Sequence, residues 1–234
     1  MFLDRITFTG ADDSTDPKAL VELSEEFPII EWGILFSKTK QGGYRFPSYK
    51  WMNSLFEVVT PQMRLSAHLC GRWVREAVLE GVFSWADEFL DYDRFQRVQL
   101  NFHGEFHRAH PRLREILKDP RFQFILQCDG VNDETARRLA ADGLAVPLFD
   151  TSGGAGILPR SGWPAAWPGV YCGYAGGLGP DTVGAQVETI SRIVGEAPFW
   201  IDMERRVRSE DDSVFDLEKV RAVLEVLVKQ GVRL

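Results

Sequence analysis

The stretch Gly173-Tyr174-Ala175-Gly176-Gly177-Leu178-Gly179-Pro180-Asp181 decides the fold. In it a short apolar run ends in several glycines, and a Pro-Asp pair then begins a helix. Glycines let a backbone approach a ligand closely, and the free amides at a helix start favour an anion. This apolar run is the seventh of strand length, and (β/α)8 barrels often bind phosphate beside strands seven and eight. The stretch therefore predicts a barrel with a phosphate at its mouth, with a plain glycine-rich turn as the alternative.

Other apolar runs of strand length alternate with amphipathic stretches on both sides of this one. Their spacing averages about thirty residues, which is one strand–helix unit. Such an alternation favours a parallel α/β fold. An open doubly wound sheet is the rival, but it carries its glycine-rich phosphate turn after the first strand. The sequence therefore predicts one domain, residues 1–234, folded as a single (β/α)8 TIM barrel with parallel strands. The predicted strands are Arg5–Phe8, Ile29–Phe36, Leu65–Leu69, Val98–Phe102, Gln123–Gln127, Val146–Phe149, Val170–Tyr174 and Phe199–Asp202.

Composition narrows the class of partner. The formal net charge is -7 and no block of Lys and Arg stands out, which argues against nucleic acid or an anionic membrane surface. No apolar run approaches the ~20 residues that span a bilayer, and the amino terminus has no signal-peptide pattern. Cys70, Cys128 and Cys172 form no CxxC pair. These features predict a cytoplasmic protein with reduced thiols, without a membrane or nucleic-acid partner.

A second glycine-rich segment follows the sixth predicted strand. It reads Phe149-Asp150-Thr151-Ser152-Gly153-Gly154-Ala155-Gly156. Asp150 comes where the strand ends, which is the catalytic face of a barrel. The glycine-rich loop after it can close over a substrate. We therefore expect a catalytic or binding role for Asp150, and the alternative is an aspartate that only caps its own loop.

These motifs resemble those of the phosphoribosylanthranilate isomerases, which are (β/α)8 enzymes of tryptophan biosynthesis. The match runs along almost the whole chain, and its most specific part follows the seventh strand. The resemblance implies an isomerase that acts on a phosphorylated small molecule and needs no metal or other cofactor. The matching segments are Thr7–Gly10, Val98–Leu100, His103–Glu105, Leu148–Asp150, Gly153–Gly156, Ala175–Val183, Ile201–Met203 and Phe215–Val220.

The resemblance also implies roles for two strand ends. In that family a cysteine after strand one is the general base and an aspartate after strand six is the general acid. The pair opens a phosphoribosylamine ring and rearranges it to a ketose. Asp150 matches the acid, but Thr9 stands at the cysteine position. A threonine hydroxyl holds its proton far more strongly than a thiol does, so it cannot replace the thiol as the base near neutral pH.

Two histidines are candidates to replace the missing thiol. His68 lies at the predicted end of strand three, and His103 follows strand four. Histidine has the pKa range that proton shuttling needs. A hydrogen-bonded polar residue at the barrel rim is the alternative for both.

The loops after strands two and eight depart from the family. Strand eight continues as Asp202-Met203-Glu204-Arg205-Arg206-Val207-Arg208, where the family has two serines, a glycine, a valine and a glutamate after the aspartate. Either an arginine such as Arg205 holds the anion, or the site is rebuilt for another ligand; a solvated charge run is the third interpretation. In the second-strand loop Arg45 is a candidate for the arginine that binds the substrate carboxylate in the family.

Two functions remain open at this point. The first is an isomerase-like enzyme for a sugar phosphate, and the second is a barrel that binds a phosphorylated ligand or a partner protein without catalysis. A metal held by His68, His103, Asp150 and Asp202 is disfavoured, because strand one has no HxH motif. The sequence leaves a homodimer open. The candidate catalytic residues are Asp150, Thr9, His68 and His103, and the candidate binding residues are Gly153, Gly154, Gly176, Gly177, Asp202, Arg205 and Arg45.

Overall fold

Eight parallel strands close into a barrel in the order of the chain. The computed structural model describes residues 2–88, 92–102 and 109–232. The fold class predicted from the sequence is confirmed, and the observed strands differ from the predicted ones only at their ends. The strands are β1 Leu3–Thr9, β2 Ile30–Phe36, β3 Arg64–Leu69, β4 Arg97–Leu100, β5 Gln123–Cys128, β6 Val146–Phe149, β7 Cys172–Ala175 and β8 Phe199–Met203.

Helices surround the barrel, and several begin where the sequence carries a capping residue. Asp16 accepts a hydrogen bond from the amide of Lys18 at the start of the first helix, and Asp216 caps the last one in the same way. The short third helix continues as a π-helical turn over Glu76–Glu80. The helices are α1 Pro17–Glu26, α2 Tyr49–Val58, α3 Arg72–Arg75, α4 Trp85–Glu88, α5 Leu113–Ile116, α6 Asp133–Ala141, α7 Val183–Val194 and α8 Leu217–Lys229. No described helix is long and apolar enough to cross a membrane.

The connection from β6 to β7 departs from the expected strand–helix alternation. Residues 150–171 are all described and contain no helix, because prolines and glycines interrupt every stretch long enough to form one. Two tryptophans take the place of an apolar helix face. The ring of Trp167 lies 5.2 Å from that of Phe149, and the ring of Trp163 lies 5.9 Å from that of Tyr174.

Buried polar side chains share the barrel interior with a small apolar cluster of Ile125, Leu148 and Trp200, while the main apolar core lies between the sheet and the helices. Side chains alternate along a strand, so every second residue points inward. At the amino-terminal end Glu31 is fully buried and bonds Arg97 at 3.0 Å and Arg5 at 2.8 Å. The guanidinium of Arg97 lies over the ring of Trp200, 4.3 Å from its centroid. The same alternation places polar residues at the opposite, carboxyl-terminal end of the barrel.

Candidate functional site

A cavity of about 550 Å³ opens at the carboxyl-terminal ends of the strands. Most of the candidates chosen from the sequence line it. Thr9 is buried, with 1% of its surface exposed, and bonds a cavity residue. Gly153 is not among the described lining residues, and His103 lies outside the part of the chain that the structure describes. The candidates that line the cavity are Arg45, His68, Asp150, Gly154, Gly176, Gly177, Asp202 and Arg205.

Thr9 and Asp202 connect the first strand to the last. The hydroxyl of Thr9 donates to Oδ1 of Asp202 at 2.8 Å. Asp202 lines the cavity with 6% of its surface exposed. Burial raises the pKa of Asp202 to about 7, and the nearby carboxylates of Glu204, Glu31 and Asp150 act in the same direction, against the hydrogen bond from Thr9. Asp202 is therefore a carboxyl group that exchanges a proton near neutral pH.

Asp150 stands in a different environment. Its Oδ2 accepts from Nε2 of Gln127 at 2.7 Å and from the amide of Gly154 at 2.6 Å. Its Oδ1 accepts from the hydroxyl of Ser152 at 2.7 Å and from the amide of that residue at 3.1 Å. Each oxygen of Asp150 therefore accepts two hydrogen bonds. Asp150 thus caps its own loop, the alternative that the sequence raised, and also lines the cavity.

The side chain of His68 on β3 reaches across β2 towards Thr9 on β1. Its Nδ1 is 3.4 Å from Oγ1 of Thr9, and Gly33 of β2 lies beneath both side chains. A Cβ on Gly33 would stand 2.2 Å from that oxygen and 2.8 Å from Cε1 of His68, so only glycine fits. Burial lowers the pKa of His68 to about 3, with Glu31 opposing the shift and Arg97 adding to it. The imidazole is therefore neutral near pH 7.

The cavity floor carries buried polar atoms without a partner among the described residues. They are Nε2 of His68, Oε1 of Gln99 and Oε1 of Gln127. The amide groups of both glutamines donate elsewhere, Gln99 to Asn101 and Gln127 to Asp150. Their free oxygens are therefore acceptors, and buried acceptors need donors. This floor suits a ligand that offers hydroxyl or amine hydrogens.

The glycines after β7 are explained first by packing. A Cβ on Gly176 would lie 2.9 Å from the carbonyl oxygen of Ile157, and one on Gly177 would lie 2.5 Å from the amide nitrogen of Leu158. Both residues also have positive φ, at 113° and 69°. The segment after β6 thus packs directly on the β7 loop. Both glycines line the cavity, so the same backbone also faces any ligand there.

Arg45 is held by side chains of the protein. Its guanidinium bonds Glu204 at 2.6 Å through Nη1 and Asp212 at 2.6 Å through Nε. Its backbone amide donates to Asp12, and its φ is 70°. The buried Arg208 bonds Asp12 and Asp212 from the other side, both at 2.8 Å. This network joins the loops after β1, β2 and β8 at the rim and uses the hydrogen-bonding capacity that a substrate carboxylate would need.

Three cations in the described part of the cavity mouth remain exposed. Arg205 donates to the carbonyl of Ala155 at 3.1 Å, which ties the β8 loop to the β6 loop. Among the described residues, Arg205, Arg206 and Lys40 form no ion pair. The stem of Arg206 packs on Gly179, where a Cβ would lie 2.5 Å from Cβ of the arginine. These groups can bind an anion at the mouth.

Several residues of this site were not predicted from the sequence. Gln99, Gln127 and Lys40 line the cavity, and Gly33 lies below it. A usable signal existed for the glutamines, because each is a polar residue at an inward position of an apolar strand. The described residues contain no group of three histidine, cysteine or carboxylate side chains arranged for a metal ion.

A closed parallel barrel with a polar cavity at its carboxyl-terminal mouth defines the chain as a (β/α)8 barrel protein. Within that class its structure is similar to solved phosphoribosylanthranilate isomerases. The one from Thermus thermophilus matches with a TM-score of 0.64 and 20% identity over 97% of this chain and 99% of the other. The one from Thermotoga maritima matches with a TM-score of 0.60 and 16% identity over 98% and 100%.

A third phosphoribosylanthranilate isomerase was solved with reduced 1-(o-carboxyphenylamino)-1-deoxyribulose 5-phosphate. It matches with a TM-score of 0.58 and 16% identity over 98% of this chain and 100% of the other. At these identities the similarity is one of fold. No model of a protein family matches the chain, and neither does any curated protein.

Proposed function

We propose that the protein is an isomerase-like enzyme that acts on a phosphorylated sugar, or a related small molecule, by general acid–base catalysis. One observation carries the proposal: Asp150 and Asp202 line the same cavity in opposite environments. Burial holds the pKa of Asp202 at about 7, while four donated hydrogen bonds surround Asp150. A carboxyl group with a pKa near 7 beside a second carboxyl group in the same cavity can supply an acid and a base.

The proposed roles follow from protonation. In the isomerisation of an aldose derivative one group protonates the ring oxygen as its bond to C1 breaks, a second group removes a proton from C2, and a proton is then added to C1 to give the ketose. We assign the donor to Asp202, which carries its proton part of the time near pH 7, and the acceptor to Asp150. The family resemblance assigns the acid to Asp150 instead. In this assignment Thr9 and the neutral His68 position Asp202. A catalytic role for His103 remains a prediction.

Substrate recognition divides between the floor and the mouth. The free acceptors of His68, Gln99 and Gln127 suit the hydroxyl groups of a sugar. The exposed Lys40 and Arg206 suit a phosphate, together with Arg205 and the glycine-rich loops after β6 and β7. The similar isomerase solved with a deoxyribulose 5-phosphate derivative supports a phosphorylated substrate. Phosphoribosylanthranilate, and with it a place in tryptophan biosynthesis, is the first substrate to test.

A non-catalytic barrel that binds a phosphorylated ligand or a partner is the second candidate. Arg45 favours it, because Glu204 and Asp212 already occupy the guanidinium that would bind a substrate carboxylate. The replacement of the family's cysteine by Thr9 points the same way. A changed substrate without that carboxylate explains the occupied guanidinium of Arg45 equally well.

Turnover of freshly generated phosphoribosylanthranilate, followed by loss of its fluorescence, tests the proposal in the wild type and in Thr9→Cys. Conversion by the wild type supports the isomerase with this substrate. Conversion by Thr9→Cys alone means that the scaffold is related but that the wild type no longer carries out this reaction. If neither protein converts it and no other sugar phosphate is isomerised, the non-catalytic function replaces the proposal.

A further inference from the structure

Four neighbouring strands, β8, β1, β2 and β3, bring one hydroxyl between an imidazole and a carboxyl group. Thr9 of β1 is paired with Gly33 of β2 in the barrel register. His68 of β3 reaches across that glycine, so that its Nδ1 lies 3.4 Å from Oγ1 of Thr9. The same oxygen lies 2.8 Å from Oδ1 of Asp202 on β8. The three side chains are at least 94% buried, so water does not replace these contacts freely.

The number of available protons sets the direction of the hydrogen bonds that link His68, Thr9 and Asp202. Thr9 has one hydroxyl proton, and the shorter contact directs it to the carboxylate oxygen of Asp202. The lone pairs of Oγ1 then face His68, which must supply the next proton from Nδ1. Because the imidazole is neutral, that proton is the only one on the ring. Nε2 of His68 is then a bare acceptor, and it has no partner among the described residues.

We propose that His68 and Thr9 are positioning residues for Asp202: Nδ1–H of His68 fixes the hydroxyl of Thr9, which occupies Oδ1 and leaves Oδ2 to exchange the proton with substrate. The inference rests on the proposed function only in taking a substrate as the group that exchanges this proton. Gly33 makes the arrangement possible, because any side chain there displaces Thr9 or His68. The resemblance places a base at the position of Thr9, and the sequence suggests His68 as a base. In this arrangement both residues instead position a neighbouring acid.

This order of groups differs from a nucleophilic triad. In a triad the imidazole lies between the hydroxyl and the carboxylate and removes the hydroxyl proton. Here the hydroxyl lies in the middle and donates directly to Asp202, so His68 has no path for that proton. Thr9 is therefore a hydrogen-bonding residue and not a nucleophile.

Other charges also act on Asp202 and must stay constant in a test. Glu204 directly after the same strand, Glu31 on β2 and Asp150 after β6 all disfavour its ionisation. Arg97 on β4 is the cation that interacts with it. His68 on β3 is neutral, so it contributes a dipole and not a charge. A substitution at Thr9 leaves all of these groups in place.

The first test is the tautomer of His68, read from the ¹⁵N shifts of its ring in the wild-type protein at pH 8.5, where Asp202 is ionised. We expect the proton on Nδ1, the tautomer that a free histidine disfavours. The second is the titration of Asp202, followed by ¹³C NMR of its carboxyl carbon. Thr9→Val removes the donor at constant shape and should raise the pKa of Asp202 by about 1, while Thr9→Ser should leave it nearly unchanged.

A proton on Nε2 of His68 would overturn the inference, as would an unchanged Asp202 titration in Thr9→Val. If Thr9→Val does not fold, the wild-type tautomer alone decides. Neither measurement uses a substrate, so its result is independent of turnover. Loss of the proposed function with an Nδ1 proton leaves the hydrogen-bond chain standing, and turnover with an Nε2 proton leaves only the proposed function standing.

Discussion

Thr9 and Asp202 are 193 residues apart in the chain and 2.8 Å apart at the seam where the barrel closes. The bond joins the first strand to the last, and its acceptor is a carboxyl group whose pKa burial raises to about 7. A residue that the family resemblance places at a catalytic base therefore works here as a donor to a neighbouring acid.

Replacing Asp202 should make the protein more stable at high pH. Its pKa is about 7 in the folded protein and 3.8 in an unfolded chain, so between these values the folded state binds more protons and stability falls as pH rises. Asp202→Asn removes this loss. We expect the free energy of unfolding of Asp202→Asn, relative to the wild type, to increase by about 3 kcal/mol from pH 5 to pH 8 in urea titrations.

Asp211→Asn is the matched control. The pKa of Asp211 is about 2, held down by hydrogen bonds from Ser209 and then Ser213. It is ionised in both states throughout this range, so its replacement should have the same effect at pH 5 and pH 8. An Asp202→Asn effect that stays constant or declines with pH would show that Asp202 is not a group of raised pKa.

The ion pair inside the amino-terminal end of the barrel should be strongly coupled. Glu31→Gln leaves Arg97 buried without a counter-charge, and we expect a loss of roughly 3–5 kcal/mol in the free energy of unfolding. The double variant Glu31→Gln/Arg97→Met removes both charges and should recover much of that loss. The exposed pair Glu26–Arg221 is the control, and Glu26→Gln should cost at most about 1 kcal/mol. Equal losses at Glu31 and Glu26 would contradict the interior pairing.

Gly33 should tolerate no side chain while Thr9 and His68 remain. A Cβ at Gly33 would lie 2.2 Å from Oγ1 of Thr9, so we expect Gly33→Ala to destabilise the protein by roughly 1–3 kcal/mol. Adding Thr9→Ala removes the shortest contact and should recover part of the loss. A double-mutant cycle from denaturant unfolding measures this coupling. Strict additivity of the two substitutions would argue against the close approach of these strands.

Anion binding should depend on the mouth cations. We expect Arg206→Gln and Lys40→Gln each to weaken the binding of ribose 5-phosphate about tenfold in calorimetric titrations, because each loses a charge-assisted hydrogen bond. Lys18→Gln on the outer helix α1 is the control and should bind like the wild type. Unchanged affinity in both mouth variants would place the phosphate elsewhere.

Local patterns in the sequence predicted the barrel because strand length, spacing and the glycine-rich stretch at 173–181 are local properties. The alternation alone does not describe residues 150–171, where a loop rich in glycine and proline stands in place of a helix. Trp163 and Trp167 cover the sheet there instead. Nothing in the local sequence states that two indole rings can replace a helix face.

Several residues of the site could be predicted from the sequence, but their hydrogen-bond partners and pKa values could not. Strand ends meet at one mouth, so Asp150, His68 and Asp202 could be grouped from the sequence alone. The partners of Arg45 could not, since Glu204 and Asp212 lie 159 and 167 residues away along the chain. The pKa of Asp202 also depends on burial and on the direction of one hydroxyl bond, which only the folded arrangement sets.

The most direct test of acid–base catalysis at this mouth is solvent deuterium exchange into sugar phosphates. The wild type, Asp150→Asn and Asp202→Asn are incubated in D₂O with phosphoribosylanthranilate and a panel of pentose and hexose phosphates, and deuterium is read by NMR at C2 of the recovered aldose and at C1 of the ketose product. We expect incorporation into at least one substrate by the wild type, and its loss in both variants while they still bind that compound. Binding without exchange by the wild type, across the whole panel, would contradict catalysis and leave a phosphate-binding barrel.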